Sequence, residues 1–459
     1  MSDIAVPGLL DRAIRRITTA WRDMATGVPD ESIATQMRAC LEGRGGEVSG
    51  RNRAAKLAET YQEFDEAGRK EFLRTLASFD SDAEAVAAAY TSVQAAADPA
   101  ELAIAKAALR RALEPPRLKL LTQFTTIPDG WKFLVDLRGF LLKVRRDDKL
   151  LAALEADLRG LLAAWFDIGL LELHRIDWNS PAALLEKLVG YEAVHEIRSW
   201  RDLKNRLDSD RRCYAFFHPR MPGEPLIFVE VALVKGLAGS VQGLLDQKAP
   251  VLDPREADTA IFYSISNCQD GLAGISFGNF LIKRVVEELS AEFRNLKTFA
   301  TLSPIPGFRG WLDAKLAVDQ SGMLSDEEAA SLQSAMPAPS GEQALAGILA
   351  KRGWWREVGL RKTAEPTLVR LGARYLLVES NGGKRARDAV AHFHLSNGAR
   401  VERLNMLGDT SEKGAKESAT LMVNYLYDPA KIEDWHEDYA GEGKRNASTT
   451  VRRLARGWS

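Results

Sequence analysis

With 459 residues, 46% of them hydrophobic and 27% charged, the chain holds enough apolar material for two or three packed domains, so wholesale disorder is excluded. Its 62 Lys and Arg against 63 Asp and Glu leave a formal charge of −1, which excludes nucleic-acid or anionic-membrane binding driven by bulk charge. Cys40, Cys213 and Cys268, with no CxxC spacing, fit neither a disulfide framework nor a Cys-built zinc site and point to a reducing compartment. No run approaches the ~18 uninterrupted apolar residues of a membrane span. The N-terminus lacks the apolar core of a signal peptide, and Asp3 and Asp11 favour a surface helix over a transit peptide. The expected location is the cytoplasm.

In chain order, the first third reads as successive helices. Ser81 to Glu84 has the form of a capping box opening an Ala-rich helix to Ala97, and Asp98-Pro99 opens the next, stopped by Pro115-Pro116. A polar break, IPDG at 127–130, follows. Leu150, Leu151, Leu154, Leu158, Leu161, Leu162 and Trp165 then keep the three-and-four spacing of an amphipathic helix. Nothing here gathers titratable groups or Gly-rich turns, so residues 1–166 are expected to be a helical packing or oligomerisation domain.

The grammar changes after Gly169, and residues 167–459 are expected to mix strands with helices. Ser180-Pro181 starts a helix, and LIFVEVAL (226–233) and AIFYSIS (260–266) read as strands. The apolar face Phe280, Leu281, Val285, Val286 and Leu289 marks a helix, and 298–302 is a short strand. A helical stretch opens at the capping box Ser325–Glu328 and includes 344–351. AVAHFHL (389–395), the turn at Asn397-Gly398 and 400–404 read as a hairpin, 420–427 as the last strand, and the tail from Gly441 as polar, basic and partly loose. An α domain followed by an α/β or α+β domain is the expected class.

Three segments could carry chemistry. Asp270 to Asn279 is Gly-rich and lies between a strand and a helix, where free N–H groups can face phosphate oxygens; a plain turn is the alternative. SPIPGF (303–308) fixes the backbone just past a strand and holds Ser303 at a defined exit, or is simply a rigid turn. On a strand, His392 and His394 share a face, a spacing that suits a metal, although six His and three Cys offer no compact set of further ligands. One structural and one functional histidine is the more ordinary reading.

TFATLSPIPGF (298–308), FYSIS (262–266), FLIKRVV (280–286), HLSNGA (394–399), Arg403 with Asn405, and MVNYLY (422–427) together resemble the malonyl-CoA decarboxylase family. WNSP (178–181), YEAVH (191–195) and PGEPL (222–226) extend the likeness upstream, so that it runs in order from about residue 165 to 430. The resemblance implies an α+β multidomain protein: an all-helical N-terminal domain serving subunit association, then a catalytic domain like the acyl-CoA N-acyltransferase (GNAT) superfold. It places the acyl-CoA-binding turn on Ala273, Gly274, Ile275, Ser276, Phe277, Gly278 and Asn279. It places the catalytic serine on Ser303, the catalytic histidine on His394, and a nearby tyrosine on Tyr427. Ser276 departs from a family member that carries glutamate there. The implied reaction converts malonyl-CoA to acetyl-CoA and carbon dioxide, in malonate and fatty acid metabolism, with no cofactor beyond the CoA of the substrate and with a homo-oligomer, dimer or tetramer, as the working form. A CoA-dependent acyltransferase and a non-catalytic acyl-CoA-binding scaffold are the rival readings.

Overall fold

The structure is a computed structural model that describes residues 32–42, 46–275, 278–317 and 323–456. The helix expected at the N-terminus lies outside the described residues. Two compact units divide the chain: one holds residues 1–165 with Asp270–Ala273, the other Phe166–Gln269 with Gly274–Ser459.

The first unit is helical throughout its described residues. Leu73, Leu76, Leu121, Leu134, Leu137, Leu141, Leu154 and Leu158 are fully buried, the core that the helical spacing requires. Asp82, rather than Ser81, caps the Ala83–Ala95 helix; its carboxylate accepts from the Glu84 and Ala85 N–H groups. Asp98 caps the next helix as expected, with Pro99 in the first turn. Pro116 both follows one helix and opens the next, Pro116–Phe124. Within the Gly130–Val144 helix, the buried Arg138 pairs with Glu155 at 2.7 Å and donates to the carbonyls of Gly271 and Ala273. The guanidinium thus binds the Asp270–Ala273 segment into this unit.

The second unit is built on one sheet of eight described strands: β1 (Glu172–Ile176), β2 (Arg211–Phe217), β3 (Pro225–Val234), β4 (Thr259–Asn267), β5 (Thr298–Thr301), β6 (Ser303–Pro304), β7 (Arg400–Asn405) and β8 (Met422–Tyr427). The order is β1-β2-β3-β4-β5-β8-β6, with β7 also on β8. β4 and β5 are parallel, and the remaining pairings are antiparallel. The β4–β5 pairing runs from Thr259↔Thr298 to Phe262↔Thr301. β2 and β3 are buried on both faces, and the β3 sequence accordingly runs apolar without alternation apart from Glu230, while β2 opens on two buried arginines.

Two readings are corrected. Residues Ala389–Ser396 are a helix, because the Asp388 carboxylate accepts from the Val390 and Ala391 N–H groups, both at 3.0 Å, and starts it. Two positions apart on a helix point to nearly opposite sides, so His392 and His394 do not share a face. There is accordingly no hairpin at Asn397-Gly398; that pair ends the helix, and β7 pairs with β8. The tail is not loose over its described residues: Ala447 bridges to Val401, and Thr449–Ala455 is a helix capped by Ser448.

Candidate active site

Ser303 owes its place to a strand that is interrupted but not ended. Thr301 closes β5, and Ser303 opens β6 with Val423 of β8 as its partner. Two prolines and Gly307 then turn the chain into the Phe308–Ala317 helix. Gly307 permits a close approach, since a Cβ there would stand 2.3 Å from Tyr375 Oη, the far end of a side chain. The Gly307 N–H reaches Asp388 Oδ2 at 3.4 Å, and Tyr375 Oη donates to the same oxygen at 3.5 Å. Burial pushes the Asp388 carboxyl above its usual range, while the N–H groups of Ala391, Gly307 and Val390 pull it back.

His394 sits in the last turn of the helix that Asp388 caps, next to the C-cap Asn397. Gly398, at φ 76°, lets the chain leave that helix for β7. His394 Nε2 lies 3.0 Å from Ser303 Oγ, and its Nδ1 lies 2.8 Å from Tyr427 Oη at the end of β8. Ser303 Oγ also donates to Thr301 Oγ1 at 2.8 Å, and that oxygen accepts the Tyr425 N–H at 3.1 Å. The imidazole stacks on Tyr425 at 4.5 Å and meets Phe393 and Tyr427 edge-on. Relative exposures are 0% for Thr301, 6% for Ser303, 2% for His394 and 1% for Tyr427, so the hydrogen-bonded chain is dry.

That burial drives the electrostatics. It pushes His394 down to about 3 and Tyr427 well above the ordinary phenol range. A free histidine titrates near 6.5, whereas at neutral pH this imidazole is uncharged. His392 is a different group, half-buried and bonded through Nδ1 to Tyr439 Oη at 2.8 Å. The two histidines therefore have separate partners, His394 in the chain with Ser303 and Tyr427 and His392 on Tyr439.

Of the expected site residues, Ser303, His394 and Tyr427 come together. Ala273, Gly274 and Ile275 lie on the turn after β4, with Gly274 at φ 74°, and Gly278 and Asn279 open the Gly278–Glu292 helix. Ser276 and Phe277 lie outside the described residues. Thr301, Tyr425 and Asp388 escaped the sequence reading. The one available signal was the spacing of Thr301 and Ser303, two apart on a strand and so on one face.

A serine, an imidazole and a phenol in one buried hydrogen-bonded chain on a mixed sheet are the groups that acid–base chemistry uses, in a chain of the α+β class. The family model described as "Malonyl-CoA decarboxylase C-terminal domain" matches residues 169–458, and the one described as "Malonyl-CoA decarboxylase N-terminal domain" matches 79–166. The chain belongs to the malonyl-CoA decarboxylase family. The mitochondrial malonyl-CoA decarboxylase of Mus musculus is 38% identical over 346 residues, 73% of this chain and 70% of that protein. The crystal structure of malonyl-CoA decarboxylase from Rhodopseudomonas palustris superposes with a TM-score of 0.83 at 40% identity, covering 92% of this chain and 98% of that one. The Agrobacterium vitis structure gives 0.84 at 41%, covering 92% and 99%.

Proposed function

We infer that this chain decarboxylates malonyl-CoA to acetyl-CoA, with Ser303 and His394 as its catalytic pair. Family membership carries the reaction, which makes the chain a carboxy-lyase. The 3.0 Å approach of Ser303 Oγ to His394 Nε2, across 91 positions of sequence, supports the residues.

Loss of the malonyl carboxylate leaves a carbanion, which the adjacent thioester carbonyl takes up as an enolate. The substrate thus supplies its own electron sink, and the protein has to orient the carboxylate, stabilise the enolate and deliver a proton to carbon. In this reading Ser303 positions the carboxylate and relays the proton, and His394 is its immediate source. Ala273 to Asn279 form the acyl-CoA turn, with Tyr427 behind the histidine. The turn's place between β4 and a helix supports it, as in the GNAT-like arrangement.

The same proposal assigns residues 1–166 to subunit association, in a dimer or tetramer, and 167–459 to catalysis. It places the protein in the cytoplasm, consistent with three buried free cysteines. No helix of the described residues is long and apolar enough to cross a membrane.

The test is incubation of the purified chain with malonyl-CoA alone. Acetyl-CoA and carbon dioxide without free CoA are expected. Free thiol appearing only when an acceptor is added would instead mark an acyltransferase.

A further inference from the structure

We propose that Thr301 is a positioning residue that sets the direction in which protons pass along the Tyr427–His394–Ser303 chain. The proposal rests on the Ser–His reading above and adds to it a residue and a polarity.

Ser303 has one hydroxyl proton and gives it to Thr301 Oγ1 at 2.8 Å. Thr301 is fully buried, and the Tyr425 N–H, 3.1 Å from the same oxygen, holds it in place. With its own proton engaged, Ser303 Oγ can only accept from His394 Nε2. Nε2 therefore carries the ring proton. A neutral imidazole has a single N–H, so Nδ1 is the acceptor, and Tyr427 Oη, 2.8 Å away, is the donor. The ring is neutral because it is buried, with the aromatic rings of Phe393, Tyr425 and Tyr427 against it. One acceptor oxygen on Thr301 thus orders every proton in the chain, each pointing from Tyr427 through His394 and Ser303 toward Thr301.

The order matters because a neutral imidazole cannot give up its N–H unless the other nitrogen gains a proton at once. When the carbon–carboxylate bond breaks, its electron pair passes into the thioester enolate. The Ser303 hydroxyl then turns from Thr301 to the substrate, and the α-carbon takes its proton. Ser303 takes the Nε2 proton, and Nδ1 takes the phenolic proton of Tyr427. Three bonds to hydrogen form as three break, and the negative charge moves from the enolate to the Tyr427 oxygen. When the product leaves, Nδ1 returns its proton to the Tyr427 oxygen, and solvent water supplies one to Nε2 by way of the Ser303 hydroxyl, which restores the resting order. The transfer is downhill even for a buried phenol, because a thioester α-carbon is a far weaker acid. Without the Thr301 oxygen, the nearest acceptor for the Ser303 proton is Nε2. The ring then holds its proton on Nδ1, and the chain points away from the substrate.

The experiment is ¹⁵N-histidine labelling of the full chain, which holds six histidines, with His394 assigned from a His394→Asn variant. Long-range ¹H–¹⁵N correlation distinguishes the tautomers. The Nε2–H form is expected in the wild type and the Nδ1–H form in Thr301→Val. Thr301→Val should lower kcat on malonyl-CoA at least ~10-fold with KM within about twofold, and Thr301→Ser should restore both tautomer and rate. A merely structural role would slow the enzyme without switching the tautomer. An Nδ1–H wild type overturns the proposal, and this reading stands even if Thr301→Val does not fold. So does Thr301→Val with an Nε2–H ring or with unchanged kcat. Full activity of Ser303→Ala overturns the Ser–His reading instead.

Discussion

Asp388 accepts a hydrogen bond from the Gly307 N–H at 3.4 Å while capping the helix that carries His394. A single carboxylate thereby ties the turn beyond Ser303 to the element presenting its partner. Asp388→Ala is expected to lose about 1–2 kcal/mol of stability through the missing cap, with a fall in kcat. Asp388→Asn caps equally well and should recover most of the stability. Urea unfolding beside steady-state kinetics checks both; an Ala variant with wild-type stability would show that the cap is idle.

The buried imidazole makes stability acid-sensitive. Folded His394 takes a proton only near pH 3, whereas an unfolded histidine does so near 6.5. Between these values the unfolded chain holds more protons, so the stability present above pH 6.5 is lost as pH falls toward 3. His394→Asn should flatten the dependence of unfolding free energy on pH by up to ~1.4 kcal/mol per pH unit in that window. Equally, kcat of the wild type should show no inflection near 6.5 from this group, and a bell centred there would contradict a neutral His394.

Tyr427→Phe removes the partner of His394 Nδ1 and leaves that nitrogen buried and unpaired. The expected cost is about 1–3 kcal/mol in stability. A fall of roughly 100-fold in kcat should accompany it, as for loss of a proton-donating group. A melting curve and a turnover assay on one preparation separate the two effects.

Two glycines near the site should respond differently to alanine. At Gly398 the backbone is left-handed, and a Cβ would stand 2.2 Å from the Ile432 carbonyl oxygen, which cannot step aside. Gly398→Ala is expected to lower the melting temperature strongly. At Gly307 the obstacle is the end of the Tyr375 side chain, which can swing away from Asp388. Gly307→Ala should therefore keep more of its stability and lose more of its kcat.

What the sequence disclosed, and what it hid, follows from how local the cause was. β3, β4 and the helix after Gly278 announced themselves because their apolar pattern is continuous and their boundaries are polar. The box Ser325–Glu328 formed as written, since both of its bonds lie within four residues. The 389–396 helix was hidden because AVAHFHL alternates like a strand, and the deciding group, Asp388, lies just outside the pattern. β1 escaped because its ELHRI sequence is a largely exposed edge, and β2 because RRCYAFF begins with two arginines that are buried nonetheless. The long helix Val358–Leu377, interrupted in composition by Pro366, was also missed. Ser303, His394 and Tyr427 were legible by family likeness alone. Thr301 was not, because the strand was expected to end before Ser303, and only the pairing of Ser303 with Val423 of β8 carries it far enough to set the two hydroxyls side by side.

Thr301 and Ser303 face the imidazole, while Ala300 and Leu302 between and beside them enter the opposite apolar core. A pleated strand offers two sides and nothing intermediate, so slipping this segment by one residue would present a leucine to His394 and bury the hydroxyl among hydrocarbons. Reactivity in this chain is thus written partly as a matter of counting. Deleting one residue between Thr298 and Ser303 would silence the centre with every functional group still in the polypeptide.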